Sequence, residues 1–245
     1  MIDTHAHLDA TDAPEEVLAR ARAAGVERVV AIGTGPDSWR TTLDLAEREE
    51  GVYAVLGTPP HDAADAPAVA ELRPLFASTC AVGVGEIGLD YYRDYAPRDA
   101  QLRLFEQQLE LATELEKPVV VHTRAANEDT LRVLEGFRGT VILHCFSEPE
   151  LVDAAAERGY YVSFAGNLTY PNAADLRHAA AEVPIGRVLV ETDSPHLAPQ
   201  PCRGRRNEPA FLIHTLEALA AARGDDAGEL EQHIDANATT AFALP

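Results

Sequence analysis

Apolar, β-branched runs alternate with amphipathic ones along the whole 245-residue chain. Eight of the runs read as strands: Met1–Asp9, Arg28–Gly33, Val52–Thr58, Ala81–Leu89, Val119–Thr123, Val141–Ser147, Tyr160–Ala165 and Arg187–Thr192. Between them, stretches such as EEVLARARAAG, SWRTTLDLAEREEG and RDAQLRLFEQQLELATELE carry apolar residues at helical spacing. Gly25, Gly51, Pro74, Pro118, Gly159 and Pro184 punctuate the joins. Strand–helix alternation of this kind builds parallel βαβ units, in a doubly wound sheet or a barrel. Eight units in about 250 residues favour the (β/α)8 TIM barrel, an α/β fold, with residues 1–245 as a single domain.

In such a barrel the C-terminal ends of the strands carry the chemistry. The opening stretch, MIDTHAHLDA, sets Asp3, His5 and His7 at alternate positions, so two imidazoles on one strand face can converge on one cation. Glu86 lies in GVGEIGLDYY at the end of strand four, and His122 in PVVVHTR at the end of strand five. His144 in VILHCFS and Asp193 in VLVETDSPHL end strands six and eight. Four of the nine histidines and two carboxylates therefore meet at five strand ends. Donors of these types suit magnesium or a divalent first-row metal, and a carboxylate can bridge two ions. The set divides into His5, His7 and Asp193 for one ion and His122 and His144 for a second, with Glu86 between. Two ions so placed activate a water and stabilise the charge that develops on an ester under attack. Asp193 is placed to accept the water's proton, so Glu86 and Asp193 are the catalytic candidates.

Neighbouring residues take lesser roles. Glu191 shares the alternation of Asp193 and reads as an anchor behind a metal ligand. Arg124, on the face of His122, reads as a contact to a phosphate oxygen or as half of a salt bridge. Cys145 borders His144 but should face the other side of the strand, where a thiol is structural. His178, His214 and His233 fall in helical segments and read as surface or core-edge residues.

Composition narrows the setting. The formal charge of −20 opposes unselective binding to nucleic acid or an acidic membrane, though not a locally basic site. No apolar run is long enough to span a membrane, and the start of the chain does not resemble a signal peptide. Three widely spaced cysteines form neither a disulfide framework nor a zinc finger. The expected setting is a reducing cytoplasm.

In order along the chain, DTHAHLD, GEIGLDYY, PVVVHTR, HCFS, SFAGNLTY, ETDSPHL and CRGRRNEP resemble the TatD family of metal-dependent deoxyribonucleases, relatives of the amidohydrolases. The resemblance runs from residue 2 to about residue 209. It implies a (β/α)8 barrel, with His5, His7, Glu86, His122, His144 and Asp193 as positions for two divalent ions: magnesium, manganese or zinc. The implied activity is hydrolysis of phosphodiester bonds, often from a 3′ end, with DNA single strands or 3′ ends as substrate. It also makes Arg203 and Gly204 part of a shared loop that either contacts DNA or packs on the barrel.

The sequence departs from the family pattern after strand three. Members commonly carry Gly-x-His-Pro there, whereas LGTPPHD puts Pro59 in the place of the histidine. Proline neither coordinates nor donates. Either His61 reaches in from the loop or the contact is missing. A competing enzyme reading keeps the metals but acts on an amide, lactone or other ester. In such amidohydrolases the bridging group is usually a modified lysine, and the only lysine, Lys117, precedes strand five, outside the ligand set. A barrel that binds metal or a partner without turnover is the third reading, which the complete ligand set opposes.

Overall fold

The computed structural model spans Met1 to Pro245. Its eight strands are β1 (Ile2–Ala6), β2 (Arg28–Gly33), β3 (Val52–Leu56), β4 (Ala81–Asp90), β5 (Val119–Arg124), β6 (Val141–Leu143), β7 (Tyr161–Phe164) and β8 (Val188–Val190). Each pairs in parallel with the next in chain order. The seam between β8 and β1 closes at its upper end. There Ala6 bridges Ser194, the Asp193 N–H donates to the His5 carbonyl at 2.9 Å, and the His7 N–H donates to the Ser194 carbonyl at 2.7 Å. The architecture is the TIM barrel that the alternating pattern predicts.

Side chains complete the seam. Thr4 Oγ1 donates to the Val190 carbonyl, and the Asp3 carboxylate accepts from both the N–H and the hydroxyl of Thr192. Here the alternation expected for strand one fails. The β1–β2 register shifts between Asp3 and Ala6, and the strand ends before His7. Asp3 therefore serves the seam and not the face shared by the two histidines.

The helices are α1 (Pro14–Ala23), α2 (Pro36–Arg48), α3 (Arg98–Leu115), α4 (Asn127–Leu134), α5 (Val152–Arg158), α6 (Ala174–Glu182), α7 (Leu212–Arg223) and α8 (Ala227–Ala241). Pro14 and Pro36 open α1 and α2, where a fixed φ costs no hydrogen bond. Asp226 caps α8 by accepting from the Gly228 and Glu229 N–H groups. Between β3 and β4 no α-helix forms. Three 3-10 turns, Pro60–Asp62, Val69–Glu71 and Arg73–Ala77, take its place, in a stretch interrupted by Pro59, Pro60, Pro67 and Pro74.

Apolar side chains form two layers. One lies between the strands and the helices around them. The other fills the barrel, where Ile2, Val30, Ile32, Val55, Val82, Val120, Ile142, Tyr161 and Leu189 continue into Ala238, Ala241, Phe242 and Leu244. The end of α8 and the residues after it thus plug the floor of the barrel, leaving the opposite end for polar groups. Phe242 is fully buried in that plug. Phe242→Ala should lower the unfolding free energy by about 3–5 kcal/mol, the usual loss for a buried phenylalanine. Urea unfolding measures it, and a loss below about 1 kcal/mol would show that the floor closes without this ring.

Candidate metal centre

At the upper end the strands release their side chains into a cavity of about 710 Å³, whose lining includes His7, His61, Glu86, Asp90, His122, Arg124, His144 and Asp193. Glu86 and His122 come from adjacent strands that approach closely because Gly88 lies between them. Gly88 has φ +130°, and a Cβ there would stand 2.0 Å from the His122 carbonyl oxygen. Strands β6 and β8 end earlier than their sequence pattern suggests. Beyond them Cys145 and Asp193 take left-handed backbone, at φ 47° and 52°. The turn at Cys145 brings this residue to the cavity lining, against the expectation that it faces away. Burial, then Asp193, Glu191 and Glu86, push its thiol up, which keeps it protonated and a poor metal ligand.

Glu86 occupies the middle of the donor set. Its Oε1 lies 3.1 Å from His122 Nδ1 and 3.2 Å from His144 Nε2, while its Oε2 lies 3.7 Å from His5 Nε2. On the other side, Asp193 Oδ1 is 3.8 Å from His5 Nε2 and 3.6 Å from His7 Nε2. The structure therefore brings all six residues expected at strand ends into one cluster. Burial raises the cost of charge on Glu86, yet His144 and His122 hold its carboxyl well below the usual range.

Each of the inner histidines is held from behind by a carboxylate. His144 Nδ1 lies 3.3 Å from Glu191 Oε1, which also accepts the Cys145 N–H at 2.7 Å. His122 Nε2 lies 3.1 Å from Asp90 Oδ2. With one nitrogen of each ring held by these carboxylates, the opposite nitrogen faces Glu86, donating to it when the ring is protonated and free to coordinate when the ring is neutral.

The donors fit a metal. Both ring nitrogens of His5 are buried without any hydrogen-bond partner. A buried polar atom left so costs about 1–3 kcal/mol unless something absent from the protein satisfies it. Burial and the adjacent His144 and His7 keep His5 well below the ordinary histidine value, hence neutral and able to coordinate. Donors held about 2.1 Å from one cation stand roughly 3–4 Å apart, the spacing around Glu86 and Asp193.

A family model described as TatD related DNase matches residues 2–243. The chain belongs to this family. It is 36% identical over 254 residues to YabD of Bacillus subtilis, described as an uncharacterized metal-dependent hydrolase, covering 100% of this chain and 99% of that protein. It is 37% identical over 241 residues to a protein of Cronobacter sakazakii named 3′-5′ ssDNA/RNA exonuclease TatD, covering 93% of this chain and 91% of the relative. The crystal structure of YJJV, a TatD homolog from Escherichia coli, superposes with a TM-score of 0.93 at 29% identity, over 100% of this chain and 98% of that one. This TatD-family chain is a metal-dependent hydrolase.

Two residues that the sequence reading passed over belong to the TatD cavity. Asp90 shares the alternation of Glu86 along β4, and that spacing is the signal that would have found it. His196 follows Asp193 by three residues and lines the cavity with its ring centre 6.1 Å from that of His7. Of the residues expected near substrate, His61 does reach in: its Nε2 donates to Asp90 Oδ2 at 2.9 Å, and Pro59 lines the same cavity. Arg124 also lines it and makes no salt bridge; its guanidinium lies 3.9 Å from the Tyr92 ring centre. Arg203 is an exposed side chain that donates to the Tyr170 hydroxyl at 2.8 Å and stacks on that ring, outside the cavity lining. His178 and His233 are exposed on α6 and α8, and His214 is half-buried on α7.

Asp90 is a positioning residue for the segment after β4 as well. Its Oδ1 accepts the N–H groups of Tyr92 and Arg93 at 2.9 and 2.7 Å. Burial opposes its charge, but hydrogen bonds from His122, the Arg93 N–H and His61 outweigh that and hold the carboxyl well below the usual range. Gln101 of α3 fixes the same strand end, donating to the Asp90 carbonyl and accepting its N–H. Asp90→Ala should leave the barrel folded but speed amide exchange across residues 91–97 by about tenfold or more. Hydrogen exchange read by mass spectrometry tests this, with β5 as the internal control. Unchanged exchange in the segment would remove Asp90 from this role.

Proposed function

We propose that the chain hydrolyses phosphodiester bonds in single-stranded DNA, removing nucleotides from 3′ ends with two divalent ions at the strand ends. The observation that carries this reading is the position of Glu86, between the donor group of His5, His7 and Asp193 and the adjacent ring nitrogens of His122 and His144, 3.1 and 3.2 Å from its Oε1. The first group would hold one ion, the second another, and Glu86 both. Magnesium, manganese or zinc, when bound, lowers the pKa of a coordinated water and neutralises charge on the phosphoryl oxygens.

The protein's own groups do the rest. Asp193, whose carboxylate lines the cavity, accepts a proton from the attacking water as the water's oxygen bonds to phosphorus. The P–O bond to the departing sugar breaks, and solvent protonates the oxygen that leaves. Asp90 and Glu191 fix the orientation of His122 and His144, and both act through those rings. Arg93 and Arg124 at the cavity lining supply positive charge on a protein of net charge −20. That rim favours an anionic phosphodiester over the neutral amide or lactone of the competing reading. The name of the Cronobacter relative, an exonuclease on single-stranded DNA and RNA, supports the same substrate class.

Metal analysis of protein dialysed against saturating manganese should give two ions per chain, and Glu86→Ala at most one. A wild-type stoichiometry that never passes one would sink the paired-ion reading. Asp193→Asn keeps the shape but not the charge, and should slow nucleotide release by about 10²–10⁴-fold at matched metal content. The assay is release of nucleotides from short single-stranded DNA, with EDTA as control, beside a panel of amides, lactones and carboxylic esters. Turnover confined to that panel would overturn the nuclease reading in favour of the amidohydrolase type.

A further inference from the structure

Only three large apolar side chains are exposed in the whole protein: Tyr92, at 66%, Tyr95, at 65%, and Ile185. Two of the three stand on one segment, YYRDYAPR, which follows β4 directly from Asp90. The segment is tied down. Tyr91 donates to Asp129 at 2.8 Å and carries Arg98 over its ring at 4.2 Å, and Asp90 accepts the next two amides. Tyr92 and Tyr95 are held out on this anchored backbone.

Both rings adjoin the metal cavity. Arg124, which lines the cavity, lies over Tyr92 at 3.9 Å. His61, which also lines it, has its ring centre 5.6 Å from that of Tyr95. Arg93 donates to the Tyr95 hydroxyl at 3.3 Å and lines the cavity in turn. Leaving such rings in water forfeits the burial that aromatic side chains ordinarily gain. The cluster of rings and guanidinium planes beside this cavity matches what holds unpaired bases in single-strand binding proteins.

We propose that Tyr92 and Tyr95 form a stacking subsite for the unpaired bases next to the scissile phosphate of a single-stranded nucleic acid. The proposal rests on the phosphodiesterase reading above and adds where the strand is gripped. Stacking uses the π-face that every base has, so the subsite does not select sequence. It also draws little on long-range attraction, which suits a protein whose net charge repels nucleic acid. The grip on a phosphate between two stacked bases falls to Arg124 and Arg93, and a duplex, whose bases are already stacked, cannot use the rings.

The test compares wild type with the pair Tyr92→Ala/Tyr95→Ala and the pair Tyr92→Phe/Tyr95→Phe, all exposed positions whose change leaves the barrel intact. Two measurements are made with metal present: anisotropy titration of a labelled phosphorothioate single strand, and KM and kcat on the unmodified strand. A second strand of equal length lacks bases at its last few positions. The alanine pair should raise Kd and KM on the complete strand by about tenfold or more, change kcat by less than about twofold, and leave the abasic strand unaffected. The phenylalanine pair should keep wild-type values, since the ring and not the hydroxyl does the stacking. A ribo-oligonucleotide of the same sequence separates the two sources of bases: the strand that loses affinity in the alanine pair is the one the rings hold. Equal losses on complete and abasic strands, or no loss at all, would overturn the subsite while leaving the nuclease reading in place. A wild-type protein that neither binds nor cuts single strands would remove both.

Discussion

A carboxylate shut away from water must be matched by positive charge, and Glu86 imposes that condition on everything around it. Neither arginine nor Lys117 makes an ion pair with it; its partners are the imidazoles of His5, His122 and His144. Protonated imidazoles meet the condition in one state, and cations bound by neutral imidazoles meet it in the other. His144 illustrates the first: burial lowers it, but Glu86 and Glu191 raise it well above the usual histidine value. The same carboxylates that favour a proton there also favour a metal ion, so a bound ion would exchange one kind of positive charge for another. Asp90 and Glu191 extend the pattern outward, each making one ring nitrogen a donor and freeing the other.

The seam of the barrel depends on the same few residues. Backbone groups of His5, His7, Asp193 and Ser194 join β1 to β8, so the segments that close the sheet also carry candidate ligands. Ring placement at this end is therefore inherited from strand pairing and needs no long loop. The opposite arrangement holds after β3, where turns replace a helix. There Gln108 of α3 holds Thr58 through both its N–H and its carbonyl, which positions Pro59 and His61 from outside the barrel.

Much of this was legible in the chain because two periodicities coincide. Strand runs could be read from their apolar content, and the candidate ligands stood at the ends of those runs, where a barrel gathers its polar groups. The reading failed where the backbone leaves the strand. Cys145 and Asp193 take left-handed conformations that no alternation describes, so Cys145 lines the cavity although counting along the strand turns it away. Asp3 keeps the spacing of His5 but is drawn off by the Thr192 N–H and hydroxyl across the seam. Arg203 looked like a charge for substrate and is occupied by Tyr170, a partner distant in sequence. Asp90 was within reach of the pattern, four residues beyond Glu86 on the same strand, and its role became visible only with His61 and His122 beside it.

The apolar plug formed by the end of α8 separates where the fold gains its stability from where it spends it. The left-handed Cys145 and Asp193, the buried charge of Glu86 and the unpaired ring nitrogens of His5 lie at one mouth of the barrel, and Phe242, Leu244 and the layer above them lie at the other. Natural proteins usually exchange stability for activity in the same neighbourhood, so that improving one erodes the other. Here the two accounts are drawn at opposite ends of a rigid cylinder. The loops at the mouth, such as the turn that carries Pro59 and His61, can therefore change while the floor absorbs the cost. A barrel built this way tolerates drift in what it acts on before it loses the shape that lets it act.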